Sequence, residues 1–166
     1  VTRGLTLRLN RHKDVEFIDV RSDDGMRIYV RSLTFIFMKA MNEQFPGKTV
    51  RFENAISKGY YCRMDVPMSE EQVDMVREKM RLIINSNIPF KRVECHTAEA
   101  IEVFERIGRK DKVRLLETYD RLYTSYYELD GYVDSYYNGL VPSTGYITLF
   151  EIEKYDDGVL LRVPNK

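Results

Sequence analysis

The sequence has few of the side chains that usually hold a metal ion, with two histidines and two cysteines among 166 residues. His12 stands alone, and Cys95 and His96 are neighbours that would point to opposite sides of a strand. Cys62 is far from Cys95, and no Cys-x-x-Cys pair occurs. Because zinc needs a cluster of such ligands, the spacing predicts no metal site. Two isolated cysteines without a secretory signal are typical of reduced thiols in a cytoplasmic protein.

An excess of charge of one sign and long apolar runs are also missing. Lys+Arg and Asp+Glu both number 26, so no global field attracts phosphate backbones, although a local basic patch remains open. The longest apolar run is far shorter than the roughly 20 residues of a membrane helix. Leu5, Leu7 and Leu9 alternate with polar residues, unlike a signal peptide. We therefore expect neither a membrane nor a DNA partner.

The first third of the chain predicts a strand and a central helix. Residues 15–20 carry apolar side chains on both sides of an alternating pattern, which indicates a strand covered on both faces. Residues 22–24 offer N-cap candidates for a helix that ends before Pro46-Gly47. This helix is apolar most of the way round, so we expect it at the centre of a fold. Two strands, at residues 49–53 and 59–64, follow.

The rest of the chain alternates helices and strands without a regular βαβ rhythm. Ser69 and Gln72 form a capping box that opens a helix. Thr97 is expected to cap a further helix, which stops near Gly108. Further segments are predicted as a strand at 90–95, helix from 109, and a hairpin of strands at 145–152 and 158–163. The pattern favours an α+β fold in which a mixed or antiparallel sheet packs with helices.

Three motifs are weighed against simpler explanations. Gly47-Lys48-Thr49 looks like the end of a phosphate-binding loop, but position 42 is Asn and a helix precedes it, which favours a helix-terminating turn. Cys62 follows two tyrosines in a predicted strand and is expected in or near the core. The tyrosine-rich residues 126–137 contain acidic residues and no Lys or Arg, so packing on the sheet is favoured over base stacking.

The order of these elements resembles the second N-terminal domain of threonyl-tRNA synthetase, which also occurs in alanyl-tRNA editing proteins. In that family a His-x-x-x-His pair lies on the first helix and a Cys-x-x-x-His pair lies late in the domain. The resemblance places the first pair at Arg31 and Phe35 and the second at Tyr136 and Leu140, with Asp134 just before it. All four positions have lost their metal-binding or catalytic side chains. The resemblance implies a domain without catalytic or metal-binding residues.

A closer resemblance is to the N-terminal region of bacterial uridine-kinase-like nucleoside kinases, in which a TGS domain, an editing-like domain and a P-loop kinase domain are fused. The segments that carry it are DVEFID at 14–19, YVRSL at 29–33, FPG at 45–47 and SKGYYC at 57–62. It implies that residues 1–20 are the tail of the TGS domain and residues 21–166 the degenerate editing-like domain. ATP and Mg would bind only in the kinase domain, and no cofactor is expected here.

On this interpretation the chain is a non-catalytic accessory or regulatory domain that docks on the kinase domain of the same polypeptide. Arg31, Phe35, Asp134, Tyr136 and Leu140 would line the former active-site cleft, which could take a small molecule or RNA. Arg31 would either bind a phosphate or carboxylate or, as we favour, pair with Asp134. The alternatives are an RNA- or tRNA-binding module and a residual aminoacyl-ester hydrolase using Cys62 or His96. A homo-oligomer also remains open.

Overall fold

The chain folds into two compact units, each described here by itself. The computed structural model describes residues 3–5, 7–56, 59–119, 121–136 and 138–164. Ser57, Lys58 and Tyr137, which belong to segments discussed above, lie outside these ranges. The first unit consists of Val1–Ile88 and Leu140–Lys166, and the second of Pro89–Gly139. The sequence interpretation did not foresee this division, and its boundary at residue 20 stays a prediction.

Four helices and seven strands make up the regular structure of the described residues. In chain order they are α1 (Asp23–Gln44), β1 (Val50–Ile56), β2 (Gly59–Met64), α2 (Glu70–Asn85), β3 (Lys91–His96), α3 (Thr97–Arg106), α4 (Lys110–Thr118), β4 (Tyr123–Leu129), β5 (Tyr132–Asp134), β6 (Glu151–Tyr155) and β7 (Gly158–Arg162). A 3-10 turn at Thr144–Tyr146 precedes β6. All strand pairs are antiparallel. The α+β fold class is confirmed.

The first unit contains a four-stranded sheet with the order β1-β2-β7-β6. Phe52, Cys62 and Val159 are successive Cα partners across the sheet, so they share one face. Cys62 and Val159 are fully buried, and the Phe52 ring meets that of Phe37 in α1 edge to face at 6.0 Å. This apolar face therefore packs towards α1, as expected for an antiparallel sheet with one face on the core.

Helix α1 is the central helix that the sequence predicts. The Ser22 side chain accepts a hydrogen bond from the Gly25 backbone N–H at 3.0 Å, which makes Ser22 the N-cap. The helix ends at Gln44, and Gly47 follows in the left-handed region at φ 77°. Since a helix precedes Gly47 and β1 follows, Gly47-Lys48-Thr49 forms a turn and lacks the architecture of a phosphate-binding loop.

The predicted capping box of α2 is confirmed. The Gln72 backbone N–H donates to the Ser69 hydroxyl at 3.2 Å, and the Ser69 N–H donates to the Gln72 side chain at 3.0 Å. Both orphan donors at the start of the helix are thus satisfied. The predicted apolar face is also buried; it consists of Val73, Val76, Met80 and Ile83. No helix among the described residues is long and apolar enough to span a bilayer.

The prediction of a covered strand at residues 15–20 is wrong. The segment forms no strand, and its side chains are exposed, with Phe17 81% exposed. A strand needs a neighbour to satisfy its backbone N–H and C=O groups, and no described strand pairs with this segment. The alternating pattern alone was therefore insufficient to predict it.

The second unit contains a three-stranded sheet, β3-β4-β5, and two short helices. Its core is a small apolar cluster in which Ala100 and Phe104 of α3 meet Leu116 of α4. Tyr126 of β4 and Val133 of β5 pack against this cluster, and the rings of Tyr126 and Phe104 meet at 6.0 Å. The Tyr126 ring of the tyrosine-rich segment therefore packs on a helix, whereas the prediction placed these rings on the sheet.

Two boundaries in the sequence interpretation need correction. Thr97 is not the N-cap of α3, because β3 runs directly into the helix and His96 holds the cap position. The Thr97 hydroxyl instead donates to the Arg121 carbonyl at 2.5 Å. The C-terminal hairpin begins only at Glu151, because residues 144–146 form the 3-10 turn. Its predicted turn is confirmed, with Asp156 at φ 48° between β6 and β7.

Candidate functional site

Three of the five predicted cleft residues lie in the first unit. Arg31 and Phe35 are one helical turn apart on α1, and Leu140 begins the segment that returns to this unit. Phe35 is fully buried and Leu140 is 8% exposed. Neither side chain carries an atom that could bind a metal ion or transfer a proton. The two positions therefore contribute to apolar packing.

A buried serine brings the returning segment onto α1 beside these positions. The Ser32 hydroxyl accepts a hydrogen bond from the Val141 backbone N–H at 2.9 Å and donates to the Ile28 carbonyl at 2.8 Å. Ser32 is fully buried. The structure thus places residues 140–141 against the helix turn that carries Arg31 and Phe35. Ser32 carries no sequence signal for this contact, since a serine inside a helix is usually exposed or bonded locally.

A second hydroxyl, that of Tyr29, fixes the same returning segment further along. The Tyr29 hydroxyl donates to the Leu149 carbonyl at 2.8 Å and accepts the N–H groups of Thr148 and Leu149 at 3.0 and 2.7 Å. One donor and two lone pairs are therefore all used. Tyr29 is 4% exposed, so these bonds form away from bulk water, where unmade bonds are costly.

The other two predicted residues, Asp134 and Tyr136, lie in the second unit. Asp134 is 5% exposed and accepts a hydrogen bond from the Ser135 N–H at 2.7 Å. Its carboxylate forms ion pairs with Lys112 at 2.9 Å and with Arg109 at 3.4 Å. The Lys112 ammonium also lies 6.0 Å from the centre of the Tyr136 ring. Asp134 is thus neutralised by two cations of its own unit.

Arg109 links Asp134 to a second carboxylate. It donates from two nitrogens to the two oxygens of Asp111, both at 2.9 Å, in a bidentate arrangement. Burial by itself lowers the pKa of Arg109, but the hydrogen bonds to Asp111 and the charge of Asp134 outweigh it and raise the pKa. Burial, followed by the charge of Asp134, raises the pKa of Tyr132. Arg109 and Tyr132 therefore stay protonated at neutral pH, and neither suits a general base.

The candidate nucleophiles are poorly placed for ester hydrolysis. Cys62 is fully buried, as predicted, and burial raises the pKa of its thiol. Since the thiolate is the reactive form, Cys62 is an inert core thiol. Burial and the charge of Glu99 raise the pKa of Cys95 as well. Both cysteines are free thiols. His96 is exposed and stacks on Tyr123 at 4.4 Å.

Potential metal ligands are dispersed in the structure. Within the residues that the structure describes, no three His, Cys, Asp or Glu side chains form a group that could hold a metal ion. A cavity of about 300 Å³ in the first unit has Arg51, Arg63, Asp65 and Asp157 in its wall. Arg51 lies 3.7 Å from Asp65, and Arg63 lies 3.6 Å from Glu53. These charges face one another, so the cavity has no excess of either sign.

The chain has a mixed α+β fold. The candidate nucleophile Cys62 is buried in its core, and the carboxylate of Asp134 is ion-paired with Arg109 and Lys112. Among the known proteins to which the chain is similar are threonine–tRNA ligases. It is 28% identical over 142 residues to that of Lawsonia intracellularis, covering 84% of this chain and 22% of the ligase. It is 31% identical over 134 residues to the ligase of Desulfovibrio desulfuricans, covering 80% of this chain and 21% of the ligase.

The similarity extends to a third ligase. The threonine–tRNA ligase of Thermoplasma acidophilum is 29% identical over 149 residues, which is 88% of this chain and 22% of the ligase. The chain thus spans about a fifth of the length of the curated relatives it matches. No family model matches it. The expected resemblance to a segment of threonyl-tRNA synthetase is confirmed by these relatives.

Proposed function

We propose that this chain is a non-catalytic accessory or regulatory module of a larger polypeptide that carries a uridine-kinase-like, ATP-dependent nucleoside kinase domain. One observation carries the non-catalytic role. The positions expected to hold the editing chemistry carry the buried apolar side chains Phe35 and Leu140, while in the second unit the carboxylate of Asp134 is bound by Arg109 and Lys112. Burial raises the pKa of the Cys62 thiol, so this candidate nucleophile is not activated for bond cleavage.

The kinase part of the proposal rests on the four sequence segments described above, two of which lie on α1 or just after it. ATP and Mg would bind in the kinase domain, and this module would dock on that domain and change its kinetics or assembly. The similarity to threonine–tRNA ligases supports the origin of the module and is neutral about the kinase.

The test uses the complete polypeptide that contains this chain. ATP-dependent phosphorylation of uridine is measured for the full polypeptide and for a version lacking residues 21–166. We expect phosphorylation by the full polypeptide, with a changed KM, kcat or oligomeric state in the shortened one. The absence of any nucleoside phosphorylation by the full polypeptide would overturn the kinase assignment, and identical kinetics and assembly would overturn the regulatory role.

A hydrolase assay tests the non-catalytic role separately. The purified chain is incubated with threonyl- and seryl-tRNA, and the release of free amino acid is followed over time. We expect no release above the rate in buffer, with or without added zinc. Release that disappears in Cys62→Ala or His96→Ala would establish the residual hydrolase instead.

A second candidate function is RNA binding, which the similarity to threonine–tRNA ligases favours. Electrophoretic mobility and fluorescence anisotropy with tRNA at low salt would measure it. Phosphate contacts through Lys and Arg would make the affinity fall steeply as salt increases. Undetectable affinity even at low salt would remove this candidate without affecting the accessory role.

A further inference from the structure

One end of the second unit exposes a cluster of aromatic side chains that the candidate sites above do not use. Leu122 is 71% exposed, Tyr123 60% and Tyr119 41%. His96 and Arg121 are exposed beside them. We call His96, Tyr119, Arg121, Leu122 and Tyr123 the aromatic platform. Adjacent exposed apolar groups of this kind are more typical of binding surfaces than of ordinary solvated loops.

The rings of the aromatic platform are arranged in pairs. The His96 and Tyr123 rings lie 4.4 Å apart between centroids and are tilted by 35°. They are Cα partners at the end of the β3–β4 ladder. The Arg121 guanidinium lies 5.7 Å from the centre of the Tyr119 ring, within the range of a cation–π contact. The platform therefore offers two pairs, the His96 and Tyr123 rings and the Tyr119 ring with the planar cation of Arg121.

Hydrogen bonds hold the platform loop in place before any ligand arrives. The Thr97 N–H donates to the Leu122 carbonyl at 3.0 Å, and the Thr97 hydroxyl donates to the Arg121 carbonyl. The Arg121 N–H donates to the Tyr119 carbonyl at 2.7 Å. A loop fixed in this way loses little further entropy on binding, which favours affinity.

The chemistry of the platform fits a planar ligand better than a purely anionic one. Arg121 is the one cation of the five residues, and the protein as a whole has no net charge. Arg92 lies on the same face of the sheet as His96, but it is ion-paired with Glu94 at 2.8 Å. Exposed Tyr, His and Arg side chains are the groups on which unpaired bases of single-stranded RNA stack.

We propose that the aromatic platform binds unpaired bases of single-stranded RNA by stacking, with Arg121 adding a cation–π or phosphate contact. This proposal rests on the RNA-binding candidate function and assigns it a surface. It revises the earlier argument against base stacking, which considered only residues 126–137. The exposed rings that matter lie at residues 96 and 119–123, where Arg121 is interleaved.

The first experiment measures fluorescence anisotropy of a labelled, unstructured RNA oligonucleotide of about eight nucleotides. Tyr123→Ala and His96→Ala are compared with the unchanged chain. Loss of one stacking partner should weaken binding about 10-fold, whereas His96→Phe should retain most of the affinity because it keeps a ring. Tyr146→Ala is the matched control, since Tyr146 is 54% exposed in the first unit without belonging to the platform.

A second experiment separates base stacking from phosphate binding. An abasic oligonucleotide of the same length and charge should bind at least about 10-fold more weakly at the same salt concentration. Equal affinity for the abasic strand, or no effect of Tyr123→Ala on RNA binding, would overturn the platform and leave RNA binding intact. No RNA binding by the unchanged chain would overturn both the aromatic platform and the RNA-binding candidate function. Circular dichroism confirms that each variant is folded.

Discussion

The two units differ in what holds them together. In the first unit, buried hydroxyl groups of α1 fix the helix to the returning segment, with Tyr29 and Ser32 bonded to backbone more than 100 residues away. In the second unit a small apolar cluster is supplemented by the ion pairs of Asp134. The difference teaches that buried hydroxyl groups join distant parts of the chain in the first unit, whereas ion pairs supplement a small apolar core in the second.

Removing a core ring should have the largest effect. Phe35→Ala deletes a fully buried side chain of α1, and we expect a loss of about 3–5 kcal/mol in the free energy of unfolding. Urea unfolding monitored by circular dichroism measures it. Phe52→Ala is the control, because Phe52 is 39% exposed. If both variants unfold at the same urea concentration, Phe35 is not a core residue of the first unit.

Removing one hydroxyl from the first unit should come next. Tyr29→Phe leaves the N–H groups of Thr148 and Leu149 and the Leu149 carbonyl without their partner, at a cost of about 2–3 kcal/mol. Hydrogen exchange should show faster exchange at Thr148 and Leu149. Tyr155→Phe, at an exposed tyrosine of β6, should leave stability unchanged. Unaltered protection of both amides would show that the hydroxyl does not fix this segment.

Breaking the ion pairs of the second unit should have a smaller effect. Asp134→Asn leaves Arg109 and Lys112 without a full negative charge, but both cations are partly exposed, so we expect about 1–2 kcal/mol. Faster amide exchange should be confined to the second unit. Asp111→Asn is the matched control at a carboxylate with a 62% exposed side chain, and its effect should be smaller. Faster amide exchange in α1 would contradict the expectation that the ion pairs of Asp134 stabilise only the second unit.

The smallest effect is expected at acid pH in the first unit. Burial raises the pKa of Glu43, but hydrogen bonds from Lys39 and Lys79 outweigh it and lower the pKa below its ordinary value of 4.5. The folded state thus favours the ionised form of Glu43, which stabilises the fold. This stabilisation is complete above the ordinary pKa of 4.5 and disappears as pH falls through the lowered pKa of the folded state.

Glu43→Gln should therefore cost about 1 kcal/mol at neutral pH and less at acid pH. Thermal unfolding of the two proteins at several pH values measures the difference. Glu78→Gln is the control, because Glu78 pairs with Arg81 on the exposed side of α2. A difference between Glu43→Gln and the unchanged chain that stays constant down to acid pH would be inconsistent with the lowered pKa.

Local signals explain which parts of the fold were predictable. The capping box of α2, its buried face and the ends of α1 depend on residues within a few positions of one another, so the sequence pattern is sufficient. The prediction of a strand at residues 15–20 was wrong because strand formation depends on a pairing partner, which the local pattern does not reveal. The partners of Ser32 and Tyr29 are distant in the chain, and nothing local marks a helical serine or tyrosine as a long-range contact.

The candidate site was predictable only in part for the same reason. The resemblance indicates positions 31, 35, 136 and 140, and the structure buries Phe35 and Leu140, but the correspondence of these positions to the family's site stays a prediction. It did not indicate that Arg109 and Lys112 would bind Asp134, because these cations lie on a different element with no motif of their own. The aromatic platform was missed because its five residues come from two segments that only the β3–β4 ladder brings together.

The bonds between Ile88 and Thr144 have a consequence for how the chain tolerates rearrangement. Thr144 receives the Ile88 N–H on its hydroxyl and donates its own N–H to the Ile88 carbonyl, both at 2.9 Å. Two hydrogen bonds therefore hold Ile88, where the chain leaves the first unit, next to Thr144, shortly after the chain returns to it. The residues between Ile88 and Thr144 therefore form an insertion in the first unit. Replacing them with a short flexible linker should cost little loop-closure entropy. Such a chain should still fold its four-stranded sheet.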